Sequence, residues 1–189
     1  MNGPAVRRAE AADRPLVERL WQLFRHDMSE FQVSQDLPGP DGRYGQERLE
    51  AAFDDTADRV PYLLARDEQP VGFAFVRGLA APVRVMNSFF VIRGARRSGL
   101  GLPAAVRILE LHPGRWGIPF QDANSTAVRF WRRVATRATG DEWTEEHRAV
   151  PDRLPGVPPD TWISLTMPAT AGRPARRLPD DRRCARGEA

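Results

Sequence analysis

The sequence predicts an α/β domain built on one central mixed sheet, with helices on both faces. The chain has 189 residues, of which 41% are hydrophobic, so it is long enough for one domain with a real core. Apolar runs with helical spacing alternate with strand-like runs along the chain. One passage, residues 83–120, reads strand, turn, helix and strand, which predicts a parallel pair within a sheet otherwise joined by hairpins.

The N-terminal part is predicted to hold one short strand and two helices. The strand covers residues 5–9, and the first helix begins at Asp13, with Pro15 in its first turn. A loop rich in Pro, Gly and Asp, residues 36–44, precedes a second helix at residues 46–53. The apolar residues assigned to one face of the first helix are Leu16, Leu20, Leu23, Phe24, Met28 and Phe31.

The middle of the chain is predicted to form a hairpin and then a strand-helix-strand unit. Strands at residues 60–66 and 71–77 flank the turn. A strand at residues 83–92 leads into a helix at 100–111 and a further strand at 116–120.

The C-terminal part is predicted to close the sheet. A helix at residues 124–137 is followed by strands at 143–150 and 162–167. We therefore assign one domain to residues 1–167. Residues 168–189 are rich in Arg and Pro and low in apolar residues, which predicts a disordered tail.

Composition excludes several function classes. The chain has no lysine, and all 28 basic residues are arginine, which excludes a phosphate-loop lysine, a Schiff-base lysine and a lysine nucleophile. The single cysteine, Cys184, excludes an internal disulfide and a cysteine-based zinc site. Three histidines without ligand spacing predict no metal site.

Charge and hydropathy suggest where the chain acts. The formal net charge is +3, and the last 22 residues, with six arginines and three acids, also carry +3. The domain is therefore close to neutral, and we expect no nucleic-acid partner. No apolar run is long enough to cross a bilayer, and residues 1–8 lack the apolar core of a signal peptide. We expect a cytoplasmic protein with no membrane partner.

The turn Arg96-Arg97-Ser98-Gly99-Leu100-Gly101 predicts an anion site. Glycine lets a phosphate approach the backbone, helix-start N–H groups and the helix dipole attract it, and arginines add charge. A plain solvated turn is the alternative. Gly99-x-Gly101-x-x-Ala104 with Asp122 also matches a dinucleotide fingerprint, but the turn lies mid-chain, which disfavours this reading.

Two sequence signatures, one after the other along the chain, resemble those of the GCN5-related N-acetyltransferases, the GNAT family. Arg96-x-x-Gly99-x-Gly101 follows the fourth strand, and Asn124-x-x-Ala127-x-x-Phe130-Trp131 begins the last helix. With the element order, the resemblance covers residues 4–167, and several segments are similar to a bacterial subgroup of predicted acetyltransferases. It implies the GNAT fold, acetyl-CoA as co-substrate and no metal.

The resemblance also implies roles for particular residues. Phe90, Val91 and Ile92 would pair by backbone with the pantetheine arm where the sheet splays, and the Val91 N–H would hold the oxyanion. Asn124 and Phe130 would contact the pantetheine, and Arg133 a CoA phosphate. The diphosphate would lie against Arg96, Arg97, Ser98, Gly99, Leu100, Gly101 and Leu102.

Two departures from the family leave the general base and acid unassigned. Ser88 stands where many relatives have a glutamate, and Trp131 where many have a tyrosine. Indole donates only a weak N–H, so Trp131 offers no acidic proton. On the first helix, His26, Asp27 and Glu30 are the candidates for the base, acting directly or through one water. The alternative for His26 and Asp27 is a polar helix face.

The sequence therefore predicts an acetyl-CoA-dependent N-acetyltransferase for a primary amine of a small molecule. The alternative is a non-catalytic module that binds acyl-CoA. The acidic residues around Asp27, Glu30, Asp36 and Asp41 hint at a cationic acceptor. A third hypothesis makes the arginine-rich tail a handle for nucleic acid or a protein. A homodimer, common in the family, is left open.

Overall fold

A computed structural model describes residues 5–31, 37–54, 57–149 and 158–169. The helices are α1 (Arg14–Ser29), α2 (Glu47–Phe53), α3 (Gly101–Leu111) and α4 (Ser125–Thr139). The strands are β1 (Ala5–Arg8), β2 (Arg59–Arg66), β3 (Gln69–Arg77), β4 (Val83–Val91), β5 (Gly114–Phe120), β6 (Trp143–Arg148) and β7 (Asp160–Met167).

The seven strands form one mixed sheet in the order β1-β2-β3-β4-β5-β7-β6. Only β4 and β5 are parallel, and they are joined through α3, as the strand-helix-strand pattern predicted. All other neighbouring strands are antiparallel. The predicted element order is confirmed. Residues 170–189, which include most of the predicted tail and Cys184, lie outside the described residues. Asp36 also lies outside them.

Helices cover the sheet on both faces, which confirms the predicted fold class. On one face, α1 and α2 bury an aromatic cluster that includes Trp21, Phe24 and Phe90. On the other face, α3 and α4 share one hydrophobic cluster with the sheet through residues such as Ile108 and Val134, and α4 packs against β5 and β7. Alternation along β4 sends Phe90 to the α1 face and its neighbour Val91 to the α3 face.

Two local expectations were wrong. Leu23, assigned to the buried face of α1, is 53% exposed, because it lies about 100° around the helix from Phe24. The buried positions are instead Val17, Leu20, Trp21 and Phe24, and Phe31 follows the end of the helix. The hairpin turn is shorter than expected, since Asp67 and Glu68 both have positive φ and form a two-residue turn without glycine.

The parallel pair separates at its carboxyl end. Strands β4 and β5 pair only from Val83 opposite Arg115 to Val85 opposite Gly117. Beyond that point β4 continues to Val91 against β3, while β5 continues to Phe120 against β7. A gap therefore opens between the two central strands on the side where α3 begins.

Candidate functional site

The end of β4 presents one backbone donor to this gap. The Ile92 N–H donates to the Val71 carbonyl on the β3 side at 2.9 Å. Successive residues of a strand direct their polar groups to opposite sides, so the N–H and C=O of Val91 face away from β3. The Val91 carbonyl accepts from Arg96 Nε at 2.8 Å. The Val91 N–H is thus directed into the space between β4 and β5.

Predicted site residues from three elements converge beside this gap. A Cβ built on Gly101, the first residue of α3, would lie 3.4 Å from a Phe130 ring carbon and 4.0 Å from a Val91 methyl. Phe130 of α4 stacks on Phe89 of β4 with ring centroids 5.4 Å apart. Asn124 caps α4 by accepting from the Ala127 N–H at 3.0 Å. The fold therefore brings residues of the two sequence signatures together beside this gap.

The turn before α3 is open where an anion would need space. Arg97 has φ 62° and Gly99 has φ 82°, and a Cβ on Gly99 would meet nothing within 4 Å. Leu100 anchors the turn in the core at 4% exposure, and Ser98 Oγ donates to the Ala95 carbonyl. The first N–H groups of a helix lack intrahelical partners, so the start of α3 offers donors and positive potential to an anion.

Arg96 is directed away from this open space. Its guanidinium lies 5.6 Å from the centroid of the Phe90 ring, on the α1 face, and forms an ion pair with Asp27. Arg93 Nε donates to the other oxygen of Asp27 at 2.9 Å, and its guanidinium lies 3.8 Å from Glu30. The last turn of α1 is thereby joined to the end of β4. Arg93 was not among the predicted site residues, because no local sequence signal marks a contact between residues 66 positions apart.

The three candidate bases lie together but differ in accessibility. The side chain of Asp27 is 16% exposed, and both of its oxygens accept from arginine. His26 and Glu30 have side chains that are 74% and 65% exposed, and His26 Nδ1 lies 4.0 Å from Asp27. Arg133 is exposed on α4 and makes no hydrogen bond or ion pair with any residue in the described ranges.

The two departures from the family signatures are both buried. Ser88 is 5% exposed, and its hydroxyl donates to the Asn87 carbonyl at 2.8 Å. Trp131 is 6% exposed and packs edge-on against Phe89, with ring centroids 5.4 Å apart. Ser88 is occupied by this bond and Trp131 by packing, so neither is poised for proton transfer.

A second polar cluster follows the end of β5. Asp122 accepts from Thr161 Oγ1 at 2.6 Å and lies 2.8 Å from His147 Nε2. The Thr161 hydroxyl, and then His147, lower the pKa of Asp122. This cluster joins the loop between β5 and α4 to β6 and β7.

The mixed sheet also excludes the dinucleotide alternative, which needs a mostly parallel, doubly wound sheet.

Within the described ranges, no group of three or more His, Cys, Asp or Glu residues could hold a metal ion. In the same part of the chain, no helix combines the length and the apolar character that a membrane span requires.

No protein-family model matches the chain, and no curated protein matches it either. Solved structures, in contrast, do match the chain. A RimL acetyltransferase of ribosomal L7/L12, in complex with coenzyme A, superposes with a TM-score of 0.60 at 14% identity, over 89% of this chain and 97% of that one. An aminoglycoside acetyltransferase in complex with coenzyme A and kanamycin superposes with a TM-score of 0.59 at 14% identity, over 87% of this chain and 95% of that one.

A GNAT-family acetyltransferase from Staphylococcus aureus Mu50 gives a TM-score of 0.58 at 14% identity, over 87% of this chain and 99% of that one. The strand order, the diverging central strands and these superpositions agree. The chain has the GNAT fold. In this GNAT fold, Gly101 of the glycine turn, Val91 at the end of β4 and Phe130 of α4 lie next to one another.

Proposed function

We propose that this chain is an N-acetyltransferase that moves the acetyl group of acetyl-CoA to a primary amine of a small molecule. The observation that carries the proposal is the separation of β4 from β5 after Val85 and Gly117, which leaves the Val91 N–H facing a cleft beside the glycine turn. A donor fixed in such a cleft can stabilise negative charge that develops on a carbonyl oxygen.

The residues around the cleft fit a CoA thioester. The open edge of β4 offers the Val91 N–H, since the backbone groups of Phe90 and Ile92 face β3 and the Val91 carbonyl is bonded to Arg96. Phe130 lies beside this edge, and Asn124 caps the helix that carries Phe130. The N–H groups of residues 98–102 and the exposed Arg97 would hold the diphosphate. Bound acetyl-CoA would supply an activated acetyl group, and the Val91 N–H would donate to its carbonyl oxygen.

Deprotonation of the amine is proposed to fall to Glu30 or His26. Both side chains are largely exposed on the last turn of α1 and at its end, next to the β4 terminus. Asp27 is a poorer base, because two arginine contacts occupy its oxygens. A group acting through one water satisfies the same requirement.

The structural neighbours support the amine part of this proposal, and the amine screen below decides whether the acceptor is a small molecule. One structural neighbour acts on a ribosomal protein and another was solved with kanamycin, so an amine acceptor is supported by both and its size by neither. A cytoplasmic location and a homodimer stay predictions.

Calorimetric titration with acetyl-CoA tests the proposal, followed by a screen of amines read by release of free thiol. The screen should contain amino sugars, polyamines and peptides with free N-termini. We expect binding at micromolar acetyl-CoA and thiol release with at least one amine class. Absence of binding at hundreds of micromolar would contradict the proposal.

A non-catalytic acyl-CoA-binding module is the second candidate. It is favoured by the buried Ser88 and Trp131, which replace the residues that many relatives use for proton transfer. This candidate predicts tight binding of acetyl-CoA with no thiol release across the whole amine panel, so the same two measurements separate it from the enzyme.

A further inference from the structure

We propose that Asp27 and Arg96 are a positioning pair that fixes the Val91 peptide at the open edge of β4. The inference rests on the proposed function, in which the Val91 N–H donates to the thioester carbonyl, and adds to it the residues that hold this donor in place. In this proposal neither side chain takes part in the acetyl transfer itself.

Arg96 makes three contacts that together set its side-chain orientation. Its Nε donates to the Val91 carbonyl at 2.8 Å, its terminal nitrogen pairs with Asp27, and its guanidinium lies over the Phe90 ring at 5.6 Å. A planar guanidinium can satisfy two acceptors and a ring face at once, which an ammonium group does less well. Arg96 is thereby committed to the end of β4 rather than to the diphosphate.

Asp27 holds Arg96 in that orientation. Its side chain is 16% exposed, and its two oxygens accept from Arg93 and Arg96 separately. Asp27 lies in the last turn of α1, which is anchored on the sheet by Phe24 against Phe90 at 5.8 Å between ring centroids. The carboxylate is thus carried by a packed helix. Without it, a long arginine side chain would regain its rotamer freedom.

The consequence falls on the Val91–Ile92 peptide, which is held from both sides. The Ile92 N–H donates to Val71 across the strand pair, and the Val91 carbonyl accepts from Arg96 on the open side. Strand β5 has already diverged, so Arg96 supplies the bond that a neighbouring strand would otherwise give. The direction of the Val91 N–H follows, because both groups belong to one extended residue.

Nuclear magnetic resonance of the ligand-free protein tests the positioning directly. Asp27→Asn and Arg96→Gln should shift the carbonyl carbon signal of Val91, and Asp27→Asn should speed exchange of the Arg96 Nε proton by about tenfold or more. Arg93→Gln, which removes the other partner of Asp27, should have a smaller effect. Glu145→Gln is the matched control, since it breaks the Arg132–Glu145 pair between α4 and β6.

The infrared band of the thioester carbonyl gives a second readout. With acetyl-CoA isotope-labelled at its acetyl carbonyl, the band of the bound molecule should move toward that of free acetyl-CoA in Asp27→Asn but not in Glu145→Gln. Acetyl transfer to any amine found in the screen should fall by roughly tenfold to a hundredfold, the cost of misplacing a reacting group, with little change in acetyl-CoA affinity.

The outcomes separate this inference from the proposed function. If the wild-type chain binds no acetyl-CoA, the proposed function fails, while the ligand-free spectra still test the pair. If the Val91 carbonyl signal and the Arg96 Nε exchange are the same in Asp27→Asn as in Glu145→Gln, the positioning pair is overturned, whatever the chain binds.

Discussion

The turn between β4 and α3 has two halves that place arginine in different surroundings. In the first half, residues 93–96, both arginines bind Asp27 on α1, and Arg96 also binds the Val91 carbonyl. In the second half, residues 97–101, Arg97 makes no hydrogen bond or ion pair with any residue in the described part of the chain. One half joins elements of the fold, and the other is free for a ligand.

Backbone conformation produces this difference between adjacent arginines. Arg96 is extended, with φ −69° and ψ 155°, whereas Arg97 is in the left-handed region at φ 62°. The change in backbone region between the two residues sends their side chains in different directions. A left-handed non-glycine residue costs free energy, and such residues are often found at ligand sites. Two arginines that are adjacent in sequence therefore lie in different surroundings.

The largest expected effect comes from filling the open half. A leucine at Gly101 would project toward Phe130 and Val91, because even a Cβ there lies 3.4 Å from the Phe130 ring. We expect Gly101→Leu to weaken acetyl-CoA binding by about a hundredfold or more, which is beyond about 2.7 kcal/mol by calorimetry.

Gly94→Leu is the matched control in the joined half of the turn. Gly94 has no neighbour within 4 Å of a built Cβ, so the same substitution meets no obstacle there. Equal losses of affinity in the two variants would show that the cleft is not where acetyl-CoA binds. Thermal unfolding of both variants checks that the fold survives.

A smaller effect is expected from removing the exposed arginine. Arg97→Gln should weaken acetyl-CoA binding by about tenfold and reduce its salt dependence, because a charge-assisted bond to the diphosphate is lost. Arg97→Gly loses the same charge and also relieves the positive φ of 62°. It should therefore bind as weakly as Arg97→Gln while unfolding at a higher temperature.

The contrast between Arg96 and Arg97 would be wrong if Arg96→Gln and Arg97→Gln changed acetyl-CoA affinity and acetyl transfer to the same extent. We expect Arg96→Gln to change the Val91 signals and acetyl transfer more than it changes affinity, and Arg97→Gln to do the reverse. Isothermal titration and thiol release, measured side by side on both variants, decide this.

The smallest expected effect is on stability, and it concerns the C-terminal end of α3, where His112 is half-buried. His112 Nε2 lies 2.6 Å from the Tyr62 hydroxyl, and burial, then Arg84, lowers the pKa of His112. The dipole at the C-terminal end of a helix by itself favours the charged form of a histidine. Burial instead favours the neutral imidazole.

A pH dependence of stability follows from this lowered pKa. Below the usual histidine pKa of about 6.5, the unfolded chain binds a proton that the folded chain resists, so the free energy of unfolding falls as pH falls. We expect denaturant titrations to show a lower free energy of unfolding at pH 5 than at pH 7. His112→Asn should remove this part of the slope. A slope that is unchanged in the variant would assign the effect to other groups.

The sequence predicted most of the fold because the signals are local. Helical spacing, the hairpin pattern around residues 67–68 and the glycine turn each depend on neighbouring residues, and each element appears in the predicted order. The errors are also local. Leu23 is exposed because the buried stripe of α1 is narrower than predicted, and Trp21, which is fully buried, packs against the sheet instead.

The candidate site could be predicted only in part. The resemblance predicted roles for Val91, Gly101 and Phe130, and the fold brings these three residues next to one another. The contacts of Arg93 and Arg96 with Asp27 join positions 66 and 69 residues apart. No pattern of neighbouring residues encodes such a contact, because it depends on how α1 packs on the sheet.

By itself, the sequence determined the elements, their order and the chemistry available at the turn, since spacing, glycine and proline act on the backbone within a few residues. The tertiary structure decided where β4 and β5 separate and which of two neighbouring arginines is free for an anion. Both depend on packing between distant segments: the sheet register ends where β5 follows β7, and Arg96 turns toward the carboxylate that α1 brings to it.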